Sequence, residues 1–353
     1  ILSGVGKRDD ELKFVLENEI LMINLESEAE MNRLEDIAKQ LGKPARISIR
    51  VNPNVDAKTH PYISTGLNEN KFGVSIETAR KMYIYAKKSK FLNPVGIHFH
   101  IGSQLTDISP ICDAAKIVSD LLRELRALEI DIKFFDVGGG IGIRYEDEKQ
   151  IVLYDYAQGI LKSLSGLDVT IVCEPGRFIT GAVGVFLTRV LYEKQNCGKR
   201  FVIVDGAMND LIRPSLYGAH HAIEIVSASE GINLDEPDAS EVNLGGRGSD
   251  QTNCSCADKK NLGGVNLSEA SLCDVVGPIC ESGDFLAKGV NLPSLQSGDL
   301  LAIKSAGAYG FSMSSNYNTR CRAAEVAIYD GQDRLIRKRE SFDDLIALEK
   351  DLV

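Results

Sequence analysis

The stretch Asp136-Val137-Gly138-Gly139-Gly140-Ile141-Gly142 decides how this chain is read. The run Ile132-Lys133-Phe134-Phe135 before it predicts a buried parallel strand that stops abruptly at three residues without Cβ atoms. Glycines at such a stop let backbone N–H groups approach an anion closely. The stretch therefore offers a phosphate seat at the carboxyl end of a parallel sheet, where α/β proteins bind ligands. Its spacing is not that of the dinucleotide fingerprint, and taken alone it is equally a tight turn without a ligand.

Working outward, short apolar runs alternate with amphipathic helices up to about residue 180, the pattern of repeated βα units. Strands are expected at residues 1–3, 20–24, 45–51, 95–101, 132–137 and 170–173. Ser27 with Glu30 reads as a capping box, Met31, Leu34, Ile37, Ala38 and Leu41 form its helix stripe, and Gly42 with Pro44 stops it. Two further stripes run through Ile111, Ala115, Val118, Leu122 and Leu125, and through Tyr154, Ala157, Leu161 and Leu164. Candidate ligand groups follow several different strands (Arg50, His100, Gly138, Glu174). That distribution fits a barrel whose strand ends share one mouth better than an open sheet with a single switch point. The chain opens on Ile1-Leu2-Ser3-Gly4-Val5-Gly6, a strand and its turn, so the expectation is an eight-stranded barrel whose first two strands lie in a missing amino-terminal part.

From about residue 185 the texture changes to β-branched and apolar runs at 201–204, 222–226, 299–303, 323–329 and 334–338, a mostly antiparallel β domain. Two domains, residues 1–184 and 185–353, follow from this change and suit a chain of 353 residues. Residues at about 228–271 are rich in Gly, Ser, Asn and Asp and read as an insertion. A tail helix is expected after Ser341, with Leu345, Leu348 and Leu352 on one face.

With 44% hydrophobic and 25% charged residues the composition is that of an ordinary globular chain. A net charge of −10 without a basic cluster argues against nucleic acid and anionic membrane as partners, and no apolar run is long enough to span a bilayer. The expected location is cytoplasmic. The eight cysteines are scattered, so reduced thiols are expected, and Cys254-Ser255-Cys256 lacks the second ligand pair that a zinc site needs.

Four constellations bear on chemistry. His98-Phe99-His100 sets two imidazoles on one side of a strand, but too few other histidines follow strand ends for a histidine-held metal, and no metal is expected. Gly102-Ser103 adds anion donors. Glu174-Pro175-Gly176-Arg177 is either a structural ion pair at a turn or a site element, with Gly176 offering an N–H, Arg177 a fork for a carboxylate and Glu174 a partner for a ring nitrogen. In the second domain, Arg213-Pro214-Ser215-Leu216-Tyr217 joins a guanidinium to a phenol, Cys280-Glu281 sits in a Pro/Gly-bounded turn less suited to core filling than Cys173, and Tyr309 is flanked by small residues.

These motifs, in this order, resemble the fold-type III pyridoxal-phosphate decarboxylases, in the branch acting on diaminopimelate. The resemblance implies an alanine-racemase-like (β/α)8 barrel followed by a β-sandwich or β-barrel domain, pyridoxal 5'-phosphate as cofactor, and meso-2,6-diaminopimelate converted to L-lysine with release of CO2. It implies a phosphate held by Ser103, Gly138, Gly139, Gly140 and Gly176 beside Pro175, His100 stacked on the ring, and Glu174 on the ring nitrogen. Arg177, Arg213 and Tyr217 would hold the far end of the substrate, Glu281 the distal amine, and Tyr309 both cofactor and substrate. Cys280 would be the catalytic acid, reaching with Glu281 into the neighbouring active site of a homodimer. Two other readings are a decarboxylase of ornithine, arginine or carboxynorspermidine, disfavoured by Glu281, and a non-catalytic carrier of the cofactor, disfavoured by the β domain with Cys280 and Tyr309. The Schiff-base lysine of the resemblance has no match: Lys58 and Lys71 lie in the loop between Asn52 and Gly73, so the chain is expected to lack the segment that carries it and to be inactive alone.

Overall fold

Ser27 and Gly42 limit one helix in the structure as in the sequence: the Ser27 hydroxyl accepts from the Glu30 N–H, and Gly42 closes the far end in a left-handed conformation (φ 64°). The capping box is only half made. The Glu30 carboxylate accepts from the Glu26 N–H and pairs with Lys7, so it does not return to Ser27. The computed structural model describes residues 1–56, 71–227 and 270–352, in two compact units, Ile1–Ala182 and Val183–Val353.

In the first unit the elements run α1 (Asp9–Glu17), β1 (Ile23–Leu25), α2 (Glu28–Leu41), β2 (Ala45–Arg50), α3 (Ile76–Lys88), β3 (Leu92–His98), α4 (Ser109–Ala127), β4 (Phe134–Asp136), α5 (Leu153–Ser163), β5 (Thr170–Val172) and α6 (Gly176–Thr180). The five strands form one parallel sheet in the order β1-β2-β3-β4-β5. Each crossover advances one place in the same direction, and right-handed crossovers then put all the helices on one face. No reversal of strand order creates a switch point.

Register sorts the two faces. Leu25, Ile49, Ile97, Phe135 and Ile171 stand level across the sheet, and the first four are fully buried in the core shared with the helices. One residue further along, Arg50, His98 and Asp136 stand level and point the other way. The polar residues at the carboxyl ends of the strands therefore gather on the face away from the helices.

The expected strand at residues 1–3 is reduced to a single parallel bridge between Leu2 and Ile23. Its residues are exposed or half-exposed and lack a second partner strand among the described residues. Helices α1 and α3 were not anticipated.

The second unit contains β6 (Phe186–Asn196), β7 (Lys199–Val204), α7 (Arg213–Tyr217), β8 (Ile223–Ser227), β9 (Ser271–Val276), β10 (Phe285–Leu292), β11 (Leu300–Ile303), β12 (Glu325–Tyr329), β13 (Gln332–Arg337) and α8 (Phe342–Leu345). Six strands make a sheet in the order β10-β9-β7-β6-β11-β8, antiparallel except where β7 meets β9, around Val190, Val202, Val204, Leu286 and Leu301. The expected insertion lies, but for its last two residues, outside the described residues. The tail helix is only four residues long; of its expected apolar face Leu345 is half-buried, while Leu348 and Leu352 are 91% and 83% exposed. No helix among the described residues is long and apolar enough to cross a membrane.

Candidate active site at the strand ends

Three neighbouring strand exits build the site in the first unit. The turn after β4 is wedged between the exits of β3 and β5 so tightly that side chains do not fit. A Cβ on Gly138 would stand 2.5 Å from the Phe99 carbonyl oxygen, one on Gly139 2.2 Å from that of Glu174, and one on Gly140 2.3 Å from that of Gly102. Gly138 (φ 65°) and Gly140 (φ 107°) also need backbone conformations that favour glycine. The wedge is bonded on both sides. The Glu174 N–H donates to Gly138 O at 2.8 Å and the Leu105 N–H to Gly140 O at 2.8 Å. The Gln104 amide bridges to the Ile143 carbonyl (2.6 Å) and N–H (3.2 Å).

The turn spends some of its donors internally. The Gly138 N–H donates to Asp136 Oδ1 at 2.9 Å, the Gly139 N–H to His100 Nδ1 at 3.1 Å, and the Gly176 N–H to the Glu174 carbonyl at 2.9 Å. In this structure each of these three N–H groups thus has an acceptor within the chain. Accepting at Nδ1 puts the proton of a neutral His100 on Nε2. Burial first, and the Arg50 guanidinium second, lower the pKa of His100 to about 4, so the ring is neutral near pH 7.

Beside the turn, His98, Asp136 and Glu174 form a polar cluster with one ligand-type atom from each lying within 4.8 Å of the others. Burial, and then the Glu174 carboxylate, raise the pKa of Asp136 to about 7. Asp136 Oδ2 also accepts from the Asn24 amide at 3.2 Å. His98 is 2% exposed, with both ring nitrogens buried and without a hydrogen-bond partner, and burial holds it neutral. Histidine spacing alone does not reveal this cluster, because two of its three members are carboxylates from other strand exits. Glu174 itself is partly open to solvent, 4.0 Å from His98 Nε2 and with Ser3 Oγ at 3.3 Å.

Arg177 is buried and does not fork onto Glu174. Its Nη1 donates to the Tyr145 hydroxyl at 2.6 Å, a partner that sequence reasoning missed. Pro175 precedes α6 as its cap, and Ser103 is half-buried on the loop past β3. Arg50 pairs with the buried Glu26 at 2.8 Å and donates to the His100 carbonyl. The Lys7 ammonium was also overlooked. It is saturated by the Gly4 and Asn24 carbonyls and by Glu30, as suits a structural ion and not a nucleophile. Lys71 lies over the Phe72 ring at 5.2 Å, and Lys58 lies outside the described residues.

In the second unit, Arg213 opens α7 and is 5% exposed, with Nη1 2.7 Å from His221 Nε2. Ser215 ties the helix to the turn between β9 and β10 by donating to Gly283 O at 2.6 Å. That turn is shaped by Asp284, which accepts from the Met208 and Ile279 N–H groups at 2.7 Å each, and it leaves Cys280 exposed. Glu281 accepts from the Tyr317 hydroxyl at 2.6 Å. Tyr217 is half-buried, and Tyr309 is 40% exposed on a left-handed residue (φ 62°). The six described cysteines are free thiols. Cys173 is exposed, which overturns its reading as core filler, and Cys254 and Cys256 lie outside the described residues.

Residues 1–181 match the family model of the pyridoxal-dependent decarboxylase pyridoxal-binding domain. The chain is 61% identical over 351 residues to the diaminopimelate decarboxylase of Campylobacter jejuni, covering 99% of this chain and 78% of the relative. It is 44% identical to that of Aquifex aeolicus, over 100% of this chain and 75% of the relative. Among solved structures, Helicobacter pylori diaminopimelate decarboxylase complexed with L-lysine superposes with a TM-score of 0.86 at 50% identity, over 99% of this chain and 78% of that one.

Proposed function

The chain belongs to the diaminopimelate decarboxylases, within the pyridoxal-dependent decarboxylases, and from that premise we propose that it acts in the removal of CO2 from meso-2,6-diaminopimelate to leave L-lysine. The observation that carries the reading is the glycine turn clamped between His100 and Glu174 at the carboxyl ends of three adjacent parallel strands. We take the five-strand winding as part of a (β/α)8 barrel that holds pyridoxal phosphate at its mouth, and the enzyme as a cytoplasmic homodimer.

The residues present fit the cofactor. Three positions of the turn exclude any Cβ, and a fourth glycine, Gly176, has nothing within 4 Å of where a Cβ would stand. That open space, beside the glycine turn, lets a ligand approach the main chain closely. Gly138, Gly139, Gly140, Gly176 and Ser103 would surround the phosphate beside Pro175. The neutral His100 ring would cover the pyridine face, and Glu174 would meet the ring nitrogen. When bound, pyridoxal phosphate supplies an electron-withdrawing ring that takes up the electron pair left on carbon as CO2 departs.

The rest falls to side chains of the chain. A diacid needs a cationic fork beyond the reacting carbon, which Arg177 and Arg213 would supply, with the Tyr217 phenol as a further polar contact. Glu281 would answer the distal amine, and Tyr309 would meet both cofactor and substrate. Cys280, exposed at its turn, delivers the proton to the substrate carbon, across the dimer into the neighbouring site. The test is Glu174→Gln. We expect it to keep binding the cofactor, followed by its absorbance, while CO2 release falls by about a hundredfold or more, the size of a lost electrostatic contact to the reacting system. Unchanged turnover would remove Glu174 from the ring nitrogen and the reading with it.

A further inference from the structure

We propose that His221 is a positioning residue that fixes the Arg213 guanidinium for the substrate's distal carboxylate, an inference that rests on the role given to Arg213 above. His221 is 1% exposed and lies between two groups that leave its ring one arrangement. Its Nδ1 is 2.8 Å from the Lys304 carbonyl oxygen, which can only accept, so Nδ1 carries a hydrogen. Its Nε2 is 2.7 Å from Arg213 Nη1, which can only donate, so Nε2 presents its lone pair. The ring is thus the neutral Nδ1–H tautomer, bonded in series from the Arg213 guanidinium to the main chain.

The anchor is rigid. Lys304 follows β11, its own N–H donates to the Ala222 carbonyl at 2.9 Å, and β11 pairs with β8 from Ile303 to Ile223 onward. His221 therefore carries the register of the sheet to a helix only five residues long. A long charged side chain loses considerable rotamer freedom when it is ordered, and a guanidinium already aimed loses less on binding. Space filling alone would need only an apolar ring here. The hydrogen-bond series adds direction, and direction is what a carboxylate fork requires.

The experiment compares His221→Leu, His221→Gln and Arg213→Met with the parent holoenzyme. L-lysine binding is measured by calorimetry, KM and kcat are measured for meso-diaminopimelate, and 1,5-diaminopentane, which has no carboxylate, is the control ligand. Leucine at 221 is expected to weaken lysine binding and raise KM by about tenfold, the scale of one charge-assisted hydrogen bond. It should leave kcat, cofactor absorbance and diaminopentane binding near the parent's. Glutamine can donate to Lys304 O and accept from Arg213, so it should restore most of the loss. Lysine binding by His221→Leu equal to the parent's, or no rescue by glutamine in a folded variant, overturns the inference. If Arg213→Met itself binds lysine normally, the assignment of Arg213 fails instead. Independently of any variant's folding, nitrogen NMR of histidine-labelled parent protein must show an Nδ1–H tautomer at position 221. An Nε2–H tautomer or an imidazolium near neutral pH contradicts the proposal.

Discussion

Replacing Gly139 by alanine puts a methyl carbon 2.2 Å from the Glu174 carbonyl oxygen, where real Cβ contacts essentially never come under 3.0 Å. Both partners are main chain, so neither swings aside. The β4 and β5 exits must separate by roughly 0.8 Å, which strains the bond from the Glu174 N–H to Gly138 O. Overpacking costs about 1–3 kcal/mol and a weakened hydrogen bond about 1 more. In a protein of this size that lowers the melting temperature by roughly 3–5 °C. Gly176→Ala is the control with the opposite sign. It stands in the first turn of α6 with nothing within 4 Å of its would-be Cβ, and alanine there stabilises the helix by up to about 1 kcal/mol. Cofactor affinity should nevertheless fall about tenfold or more, as when one contact to a charged group is lost. The pair is read by thermal melts without cofactor and by titration with pyridoxal phosphate. A Gly139→Ala melt equal to the parent's, or a Gly176→Ala protein that binds the cofactor normally, refutes the reasoning.

Three further outcomes follow from single contacts. Asp136 has its folded pKa raised above the ordinary aspartate value, chiefly by burial and then by Glu174. Its contribution to stability is therefore fully present below the unfolded pKa and is lost as pH rises through about 7. Asp136→Asn, whose amide can also serve the partnerless Asn24 Oδ1, should flatten that decline, and melts from acid to mildly alkaline pH check it. Tyr145→Phe deprives buried Arg177 of an acceptor, with an expected loss of about 1.5–3 kcal/mol in denaturant unfolding and a raised KM for the diacid. Cys280→Ala should cut turnover by about 10²–10⁴ while leaving the melting temperature unchanged, because the thiol is exposed.

The βα alternation of the first half was legible because its strands place apolar residues such as Leu25, Ile47, Ile49, Ile97 and Phe135 in the core and helices such as α2 and α4 carry long stripes. Helix α1 was not, since only Leu12, Val15 and Leu16 are buried behind an Asp-Asp-Glu start. Helix α3 buries Ala79 and Ala86 with Met82 and Tyr83, a stripe too small-sided to stand out, although Ser75 does cap it. Strand limits moved toward the amino terminus where the exits peel away: β3 stops at His98, and Gly102 (φ 156°) and Gln104 (φ 61°) bend the loop back over the glycine turn. In the second half, β6 was missed because only Thr188 and Val190 of it are buried, while Arg189 and Glu193 are half-exposed and Leu187 and Tyr192 exposed, so no apolar run marks it. Of the site, the glycine turn, His100 and Glu174 could be picked out from local composition. The partners of Arg177, Asp136 and Arg213 could not, because Tyr145, Glu174 and His221 meet them through folding and leave no spacing rule in the chain.

The central claim is that these strand ends serve the decarboxylation of a diamino diacid and not of a simple diamine precursor. CO2 release by the full-length protein with added pyridoxal phosphate, compared between meso-2,6-diaminopimelate and L-ornithine, tests it most directly. The account predicts CO2 from the diacid with an equal amount of L-lysine and little from ornithine, whereas equal or faster release from ornithine would contradict it.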